Sequence, residues 1–510
     1  MRKEEQDTIW FVDETLLFRI NINNNFIFYV IFIIIMTDNS ISVDTVLRMN
    51  AREAVPDSAK IPTISSSSLV QGRQTVKFTP SNGKSFKPNQ QAIIRLNSAQ
   101  SYLAPTSTAL VMDLNIENAP TGKIHSAVFD DLMLSVLDRF RLTIGGVLID
   151  EIFECGKTTT ALNYLTVSPD HYDGVQNVLM KSWKHTRMET QVEDTDNIVA
   201  DINRLNRYTN AGVYWRGDYQ QNEAINGRSQ VRVVIPMSYL SSVCRSHKFL
   251  PLRNMGNMEF AFQFASPQNA LVNPDVASGG GGITPANMSY TVEDIYMTAD
   301  LVDLNAEYVG MMDRLLQGEG MTLPLDKYTV LTAQNAIAAQ SSKKQFTYSF
   351  GAPVVKSCVF WKQLESQQNT FSKYSSSGFL NNNQKSFRLR VGSKYLPQYD
   401  AVSSNEELYW MTQKGLGMAG NIGEQVGLGN YKSFTANRSD TGTCVFMFSF
   451  EKNSESADVV LDGIDARSTS LFVAEIEDSI DAGNDTEILY CAFNTISVLK
   501  LANGSIELEE

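Results

Sequence analysis

The sequence predicts an all-β protein made of two consecutive β-sandwiches. Short segments rich in β-branched and aromatic residues recur along the chain and are separated by Gly, Asn and Ser clusters. This pattern is typical of sandwiches, and few segments show the periodicity of a long helix. A run of four glycines, Gly279–Gly282, divides the strand-rich part into two halves of similar length.

The first 72 residues differ from the rest of the chain. Asn, Ile and Phe dominate residues 1–35, whose apolar run Phe26–Ile35 is shorter than the ~20 residues that span a bilayer. The charges at the start are mixed and no small-residue cleavage site follows, so a signal peptide is disfavoured. We expect residues 1–35 to be an upstream-translation artefact, with Met36 as the start, or else a non-globular, membrane-contacting extension. Residues 36–72, rich in Ser, Asp, Asn and Ala, are expected to form an N-terminal arm.

Residues 73–266 are predicted to form the first sandwich. Phe140–Ile149 has the pattern of a hairpin whose turn, Gly145-Gly146, supplies the positive φ angles that a primed two-residue turn requires. Val231–Ile235 is a β-branched run stopped by Pro236. Met258–Phe264 alternates strictly, with four large apolar residues on one face, so it is predicted to be a half-buried strand.

Residues 267–287 are predicted to be a linker, because four consecutive glycines cannot form a packed element without a large entropic cost. Residues 288–510 are then the second sandwich. Within it, Val445–Phe450 is almost entirely apolar, which indicates a strand buried on both faces. Two short helices are expected: one over 305–317, ending at Gly318, and one after Ser404, where a capping box with Glu407 marks the start.

Charge and cysteine content limit the functional classes. The net charge is −13 and no basic tail occurs, which disfavours direct, sequence-specific binding of nucleic acid. The five cysteines form no CxxC pair, so they are interpreted as buried, reduced thiols and not as a disulfide framework or zinc site. The five tryptophans are dispersed and are interpreted as core or interface anchors in preference to a glycan-binding platform.

No motif predicts catalysis, a cofactor or a metal site. The four histidines, His125, His171, His185 and His247, lack the spacing of metal ligands. Gly156-Lys157-Thr158 resembles the end of a phosphate-binding loop, but Glu151 stands where that loop needs its first glycine. Asp194–Asn197 hints at a calcium loop but lacks its glycine and closing glutamate. We therefore predict that the protein is not an enzyme.

A weak internal echo suggests that the two halves share one fold. In the first half, the strand VRVVI precedes Phe249-Leu250-Pro251 and then MEFAFQF. In the second half, SFRLRV precedes Tyr395-Leu396-Pro397, a helix and then CVFMFSF. By their order in each half, VRVVI corresponds to SFRLRV and MEFAFQF corresponds to CVFMFSF.

The order of these segments resembles the double-jelly-roll major capsid proteins of virophages and polinton-like viruses. The likeness is carried by LDRFRLTIGGVLIDEI with ALNYLTVSP, HKFLPLRNMGNMEFAFQFA, YTVEDIYMTADLVDLNAEYV, KYLPQYDAVSSNEELYWMTQKG and LDGIDARSTSLFVAEIE. Together these stretches extend over most of residues 73–510. The resemblance implies a double jelly roll, two jelly-roll β-sandwiches in tandem with a few short helices in loops.

The resemblance further implies a structural role without catalysis: homotrimeric, pseudo-hexameric capsomers in the shell of an icosahedral DNA virus. It implies a virion localisation after assembly in the host cytoplasm or nucleus, a minor capsid or penton partner, no cofactor and no membrane span. By analogy, the polar insertions 156–228, 362–384 and 415–440 would form outward loops and trimer contacts. The aromatic residues of the first insertion are the expected trimer interface: Tyr208, Tyr214, Trp215 and Tyr219.

Two other functions remain open from the sequence. A two-domain β-sandwich adhesin or carbohydrate-binding protein would present exposed aromatic platforms and would usually be secreted. A jelly-roll enzyme of the cupin type would need a His-rich metal set, which four dispersed histidines do not favour.

Overall fold

The structure, a computed structural model, divides into two compact units, Met1–Ser68 and Leu69–Glu510. In the first unit it describes only an antiparallel sheet of β1 (Phe11–Val12), β2 (Thr15–Phe18) and β3 (Val30–Phe32), in that order. The start at Met36 and the arm remain predictions. In the second unit, the described residues are 70–97, 101–117, 128–130, 133–168, 171–180, 229–272, 287–318, 320–336, 343–382, 384–398, 401–416, 431–436, 442–451, 463–467, 471–478, 485–502 and 504–509.

The first sandwich contains eight main strands and three minor ones. They are β4 (Val70–Phe78), β5 (Gln91–Leu96), β6 (Tyr102–Glu117), β7 (Val128–Phe129), β8 (Leu137–Ile144), β9 (Val147–Phe153), β10 (Ser229–Pro236), β11 (Leu250–Pro251), β12 (Met258–Phe264), β13 (Leu271–Val272) and β14 (Ser289–Leu304). Sheet 1A has the order β10-β6-β14-β4, and sheet 1B has the order β5-β12-β8-β9. Of the minor strands, β7 and β13 pair with each other, and β11 pairs with β6.

The second sandwich is built in the same way. Its strands are β15 (Met321–Ala336), β16 (Lys343–Ser349), β17 (Val355–Leu364), β18 (Gln384–Val391), β19 (Lys394–Leu396), β20 (Val445–Ser449), β21 (Leu471–Asp478), β22 (Thr486–Ala502) and β23 (Ser505–Glu509). Sheet 2A has the order β15-β22-β17-β20, with β23 paired to β22. Sheet 2B has the order β16-β21-β18-β19.

Three longer helices lie in connections of the described chain: α1 (Cys155–Thr166), α2 (Ala306–Gln317) and α3 (Asn405–Gly415). Single helical turns occur elsewhere, at Met133–Val136, Asn177–Met180, Met237–Tyr239, Val243–Arg245, Leu252–Met255, Pro267–Ala270, Glu365–Gln367 and Tyr431–Phe434, with a π-helical turn at Tyr172–Gln176. The two helices predicted from sequence correspond to α2 and α3. The Ser404 side chain caps α3 by accepting a hydrogen bond from the Glu407 amide, as its sequence predicts.

Both sandwiches have the strand order of a jelly roll. When the eight main strands are numbered along the chain, one sheet reads first, eighth, third, sixth and the other reads second, seventh, fourth, fifth. The same order holds in both halves, so the predicted double jelly roll is confirmed as the fold. The internal echo was misaligned, however: the counterpart of VRVVI in β10 is β20, and that of MEFAFQF in β12 is β21.

The boundary between the sandwiches differs from the predicted one. Strand β14, which the sequence assigns to the second half, pairs with β6 and β4 and is a central strand of sheet 1A. The predicted linker 267–287 therefore connects two parts of the first sandwich, and its first residues form a helical turn and β13. Its glycines, 279–282, lie outside the described residues. The connection between the sandwiches passes through α2.

Local sequence signals are confirmed where partners are close in the chain. The turn between β8 and β9 is Gly145-Gly146, and both residues have positive φ angles, 56° and 88°. In β12, Met258, Phe260, Phe262 and Phe264 are fully buried, as the alternation predicts. These side chains belong to the core between sheets 1A and 1B.

Candidate functional site: the junction between the two sandwiches

Sheet 2A is apolar on both of its faces. One face belongs to the core of the second sandwich, through Cys358, Phe360, Phe446, Phe448, Leu489, Cys491 and Phe493. The alternate residues join the apolar cluster of the first sandwich instead: Val359, Trp361, Val445, Met447, Ile488, Tyr490 and Ala492. The prediction that Val445–Phe450 is buried on both faces is confirmed for β20. A continuous apolar core thus crosses from one sandwich to the other.

Helix α1 belongs to this junction. Ten of its twelve residues are buried, and it contacts β8 and β9 of its own sandwich as well as β20 of the other. Its start is tightly placed: a Cβ on Gly156 would lie 2.7 Å from the Cα of Ser135, so only glycine fits there. The sequence had assigned this stretch to an outward polar loop, and that expectation is wrong for α1.

A buried lysine links α1 to sheet 2A. The Lys157 ammonium lies 2.9 Å from Glu154 Oε2 and donates a hydrogen bond of 3.1 Å to the Tyr490 hydroxyl. Burial by itself would lower the pKa of Lys157, but Tyr490 and Glu154 outweigh it and raise that pKa. Burial raises the pKa of Tyr490, partly offset by Lys157, so the phenol is neutral and accepts the bond at neutral pH. The ring of Tyr490 stacks on Trp361 at 5.4 Å between centroids.

A second set of polar contacts joins Asp130 to the loop between β17 and β18. The carboxylate of Asp130, which is 2% exposed, accepts from the Ser376 amide at 2.6 Å and from the Ser377 hydroxyl. The backbone carbonyl of Asn269 accepts hydrogen bonds from the hydroxyl groups of Ser375 and Ser376. The bonds to the Asp130 carboxylate are charge-assisted, and together with those to Asn269 they join the two sandwiches at defined residues.

The same loop packs on α1. Tyr164 of α1 donates a hydrogen bond of 3.2 Å to the Ser377 carbonyl, and its ring meets Phe379 edge-on at 5.7 Å. Residues 362–384 were expected to form an outward loop, but Lys362, Ser375–Ser377 and Asn381 are buried. The insertion is polar because it supplies hydrogen bonds inside the junction, a role that its composition does not distinguish from solvent exposure.

A cavity of about 150 Å³ lies along the same seam. Leu162 and Leu165 of α1 line one side, while Val359 and Met447 of sheet 2A line another. Lys356, Glu451 and Asn494 give it a polar end. The packing of α1 on sheet 2A is therefore less complete here than around Trp361.

Among the described residues, those considered for chemistry from sequence do not come together. Within the described ranges, no cluster of His, Cys, Asp and Glu could hold a metal ion. His171 and His247 are exposed, and His125 and His185 lie outside the described residues. All five cysteines are free and buried, as predicted, and burial raises the pKa of the Cys155 thiol to about 12. These thiols are therefore structural.

Tyr208, Tyr214, Trp215 and Tyr219 lie outside the described residues, as do the acidic loop at 194–197 and three of the five tryptophans, Trp10, Trp183 and Trp215. Trp361 is the core anchor that the sequence anticipates. Trp410 on α3 is 54% exposed, the largest exposed apolar side chain among the described residues. No helix in the described ranges is long and apolar enough to cross a membrane.

Solved viral structures share this fold. A chain of the Sputnik virophage matches with a TM-score of 0.57 and 13% identity, over 89% of this chain and 91% of that chain. The Faustovirus major capsid protein matches with a TM-score of 0.56 and 10% identity, over 90% and 97%. The mavirus major capsid protein matches with a TM-score of 0.50 and 9% identity, over 90% and 94%.

No protein-family model and no curated protein matches the chain in sequence. The likeness is therefore one of fold, and it extends across both sandwiches and nearly the whole length of the matched chains.

Proposed function

We propose that this chain is the major capsid protein of an icosahedral DNA virus and forms homotrimeric, pseudo-hexameric capsomers. The observation that carries the proposal is the pair of jelly rolls with identical strand order held at a buried junction. Two similar sandwiches in one rigid chain, repeated three times about an axis, would give the six similar corners that a hexagonal lattice needs. The similarity in fold to viral capsid proteins, extending over the whole double sandwich, supports this reading.

The protein's location would then be the virion, and its main partner would be other copies of itself. A penton protein is the further partner that an icosahedral shell requires, because fivefold vertices cannot accept a pseudo-sixfold capsomer. Tyr208, Tyr214, Trp215 and Tyr219 remain proposed contributors to the trimer contacts. A purely structural role without catalysis accords with the engagement of two buried charged groups, Lys157 and Asp130, in contacts of the junction.

The test is the mass of the purified full chain by size exclusion coupled to light scattering, followed by negative-stain imaging. We expect a species of three times the chain mass of 56.8 kDa, with hexagonal outlines in the images. Interfaces of permanent assemblies bury more than ~2,000 Å², so the trimer should persist on dilution. A monomer at every concentration and salt tested would contradict the proposal and would favour the adhesin alternative.

A further inference from the structure

A cluster of buried polar side chains lies at one end of the second sandwich, between sheets 2A and 2B. Lys362 on β17 and Glu487 on β22 belong to sheet 2A, and Lys344 on β16 belongs to sheet 2B. The fourth member is Asn382, which lies just before β18. All four residues are buried.

The strand pattern turns these charged side chains toward the core of the second sandwich. On each of the three strands, the next residue on the same face belongs to that apolar core: Phe346, Phe360 and Leu489. Buried ion pairs usually stabilise a fold no more than apolar residues of similar volume would. Core packing alone therefore does not account for the cluster.

Glu487 is at the centre of the cluster. Its Oε2 accepts a hydrogen bond of 2.8 Å from the Lys344 ammonium, and its Oε1 accepts one of 2.8 Å from the side-chain amide of Asn382. The Lys362 nitrogen lies 3.8 Å from the same Oε1. It also donates a hydrogen bond of 2.8 Å to the backbone carbonyl of Asn381, the residue before Asn382. The amine of Lys362 and the carboxamide of Asn382 are thus neighbours at one carboxylate oxygen.

The backbone holds Asn382 in this position. Its φ angle is 54°, in the left-handed region that few non-glycine residues adopt. The preceding residue fixes the same turn, because the side-chain oxygen of Asn381 accepts a hydrogen bond of 3.0 Å from the Gln384 amide. An uncommon backbone conformation that its surroundings enforce is a feature of sites with a chemical role.

We propose that Lys362 and Asn382 react with each other to form an isopeptide bond, with Glu487 carrying the protons. A primary amine, a carboxamide and a carboxyl group, held together and buried, are the groups that this transamidation needs. The reaction requires no cofactor or second substrate. It concerns the maturation of a single chain and does not rest on the proposed capsid function.

The reaction begins with a proton transfer from the Lys362 ammonium to Oε1 of Glu487, which burial assists because it disfavours both charged forms. The neutral amine then attacks Cγ of Asn382 and forms the new C–N bond, while the carbonyl electron pair moves onto Oδ1. Glu487 gives its proton to Nδ2 and takes one from the attacking nitrogen. As the electron pair returns from Oδ1, the bond from Cγ to Nδ2 breaks. Ammonia leaves and takes the last proton from Glu487, so the carboxylate is regenerated.

The new bond would link sheet 2A to the start of β18 in sheet 2B and close residues 363–381 into a covalent loop. That loop contains Ser376 and Ser377, which bind the Asp130 carboxylate at the junction. A covalent loop has fewer conformations in the unfolded chain, so the bond favours the folded state. The reaction would thereby secure a loop that helps to hold the two sandwiches together.

The first test is mass spectrometry of the unaltered full chain under denaturing conditions. We expect a mass lower than that of the sequence by one molecule of ammonia. Trypsin should release a branched peptide in which residues 357–373 are joined to residues 374–385, because trypsin does not cleave after an acylated Lys362. Fragmentation of this peptide should place the bond between Lys362 and Asn382.

Variants assign the roles of the side chains. Lys362→Arg keeps the positive charge but supplies no nucleophilic amine, and Glu487→Gln keeps the side-chain shape but cannot carry the protons. Both should have the full mass of their sequences and give unlinked peptides. Lys356→Arg is the matched control, since it makes the same change on the same strand at a lysine that pairs with Asp326 and Glu451. It should still lose one ammonia.

The unaltered chain decides the matter even if a variant fails to fold. A full mass with only unlinked peptides would overturn the inference, and the cluster would then be an ion-paired contact between the two sheets. A bond from Lys344 to Asn382 would overturn the assignment of the amine, and a bond that persists in Glu487→Gln would overturn the role of Glu487. These results leave the capsid proposal untouched, because that proposal is tested by the mass of the assembly.

Discussion

Sheets 1A and 2A have the same strand order, but their outer faces differ in polarity. The outer face of sheet 2A is apolar, whereas that of sheet 1A carries ion pairs. On sheet 2A the outward residues are Trp361, Tyr490 and apolar neighbours, and they are covered by the first sandwich. On sheet 1A the outward residues include ion pairs between an exposed arginine and a largely buried carboxylate, such as Arg232 with Asp113 and Arg73 with Asp300. Lys77 lies 3.6 Å above the ring of Tyr296 on the same face.

Inward and outward side chains therefore have different roles: the former determine the fold, and the latter determine what each face contacts. Inward side chains and strand order define each jelly roll, and they are alike in both halves. Outward side chains determine whether a face is covered during folding or remains in contact with water. An apolar face must be buried within the chain, whereas an ion-paired face is stable in water and can meet a partner later.

The largest expected effect comes from removing the apolar anchor of the covered face. Trp361→Ala should lower the free energy of unfolding by about 3–5 kcal/mol, because it opens a large cavity in the junction. Tyr296→Ala on the open face of sheet 1A is the matched change, and it should cost about 1 kcal/mol or less, including the lost contact with Lys77. Urea unfolding followed by circular dichroism measures both, and equal losses would contradict the comparison.

A smaller effect is expected at the polar contacts of the junction. Asp130→Asn weakens the charge-assisted bonds to Ser376 and Ser377 and should cost about 1–3 kcal/mol. Asp113→Asn, which breaks the pair with the exposed Arg232, should cost about 0–1 kcal/mol. The same unfolding measurement applies, and the comparison fails if the Asp113 variant proves the less stable of the two.

The smallest effects are expected from pH, and they should have opposite signs at the junction and on the open face of sheet 1A. Burial and the nearby Glu154 raise the pKa of Asp138, which lies beside the junction. Burial of Asp300 on the open face is outweighed by Thr75 and Arg73, and the pKa of that carboxyl is lowered. A raised carboxyl pKa disfavours the folded state once the group ionises, whereas a lowered pKa stabilises the folded state above the ordinary carboxyl pKa.

Asp138→Asn should therefore make the protein slightly more stable than the unaltered chain at neutral pH, and Asp300→Asn slightly less stable. Both differences should be below about 1 kcal/mol and should shrink in acid, as the unaltered carboxyls become protonated. Thermal unfolding of both variants between about pH 3 and about pH 8 checks this, because that range includes the ordinary carboxyl pKa of about 4. Differences of the same sign at neutral pH would contradict it.

Sequence patterns predicted the features that depend on neighbouring residues. The Gly145-Gly146 turn, the alternation in β12 and the cap at Ser404 each involve groups only a few residues apart. The doubly buried strand β20 was also predictable, because a strand between two apolar layers cannot alternate. These signals are local, so a single sequence contains them in full.

Long-range pairing was not predictable in the same way. Strand β14 follows a glycine-rich segment, yet it returns to lie between β6 and β4, and no local pattern specifies those partners. Helix α1 was missed because the residues it buries include Lys157, Thr158–Thr160 and Asn163, which give it no apolar stripe. These buried polar residues gave the helix the composition of an exposed loop.

The order of the strands along the chain has a consequence for synthesis on the ribosome. In each sandwich the last main strand, β14 or β22, is inserted between the first and third, so neither A sheet can close until its final segment has emerged. Strand β22 also carries Ile488, Tyr490 and Ala492, three of the seven residues named above on the covered face. A prematurely terminated chain would lack the strand that unites its second sandwich and would expose apolar surface to chaperones and proteases. The topology thus makes an incomplete polypeptide distinguishable from the finished chain by the apolar surface that it leaves exposed.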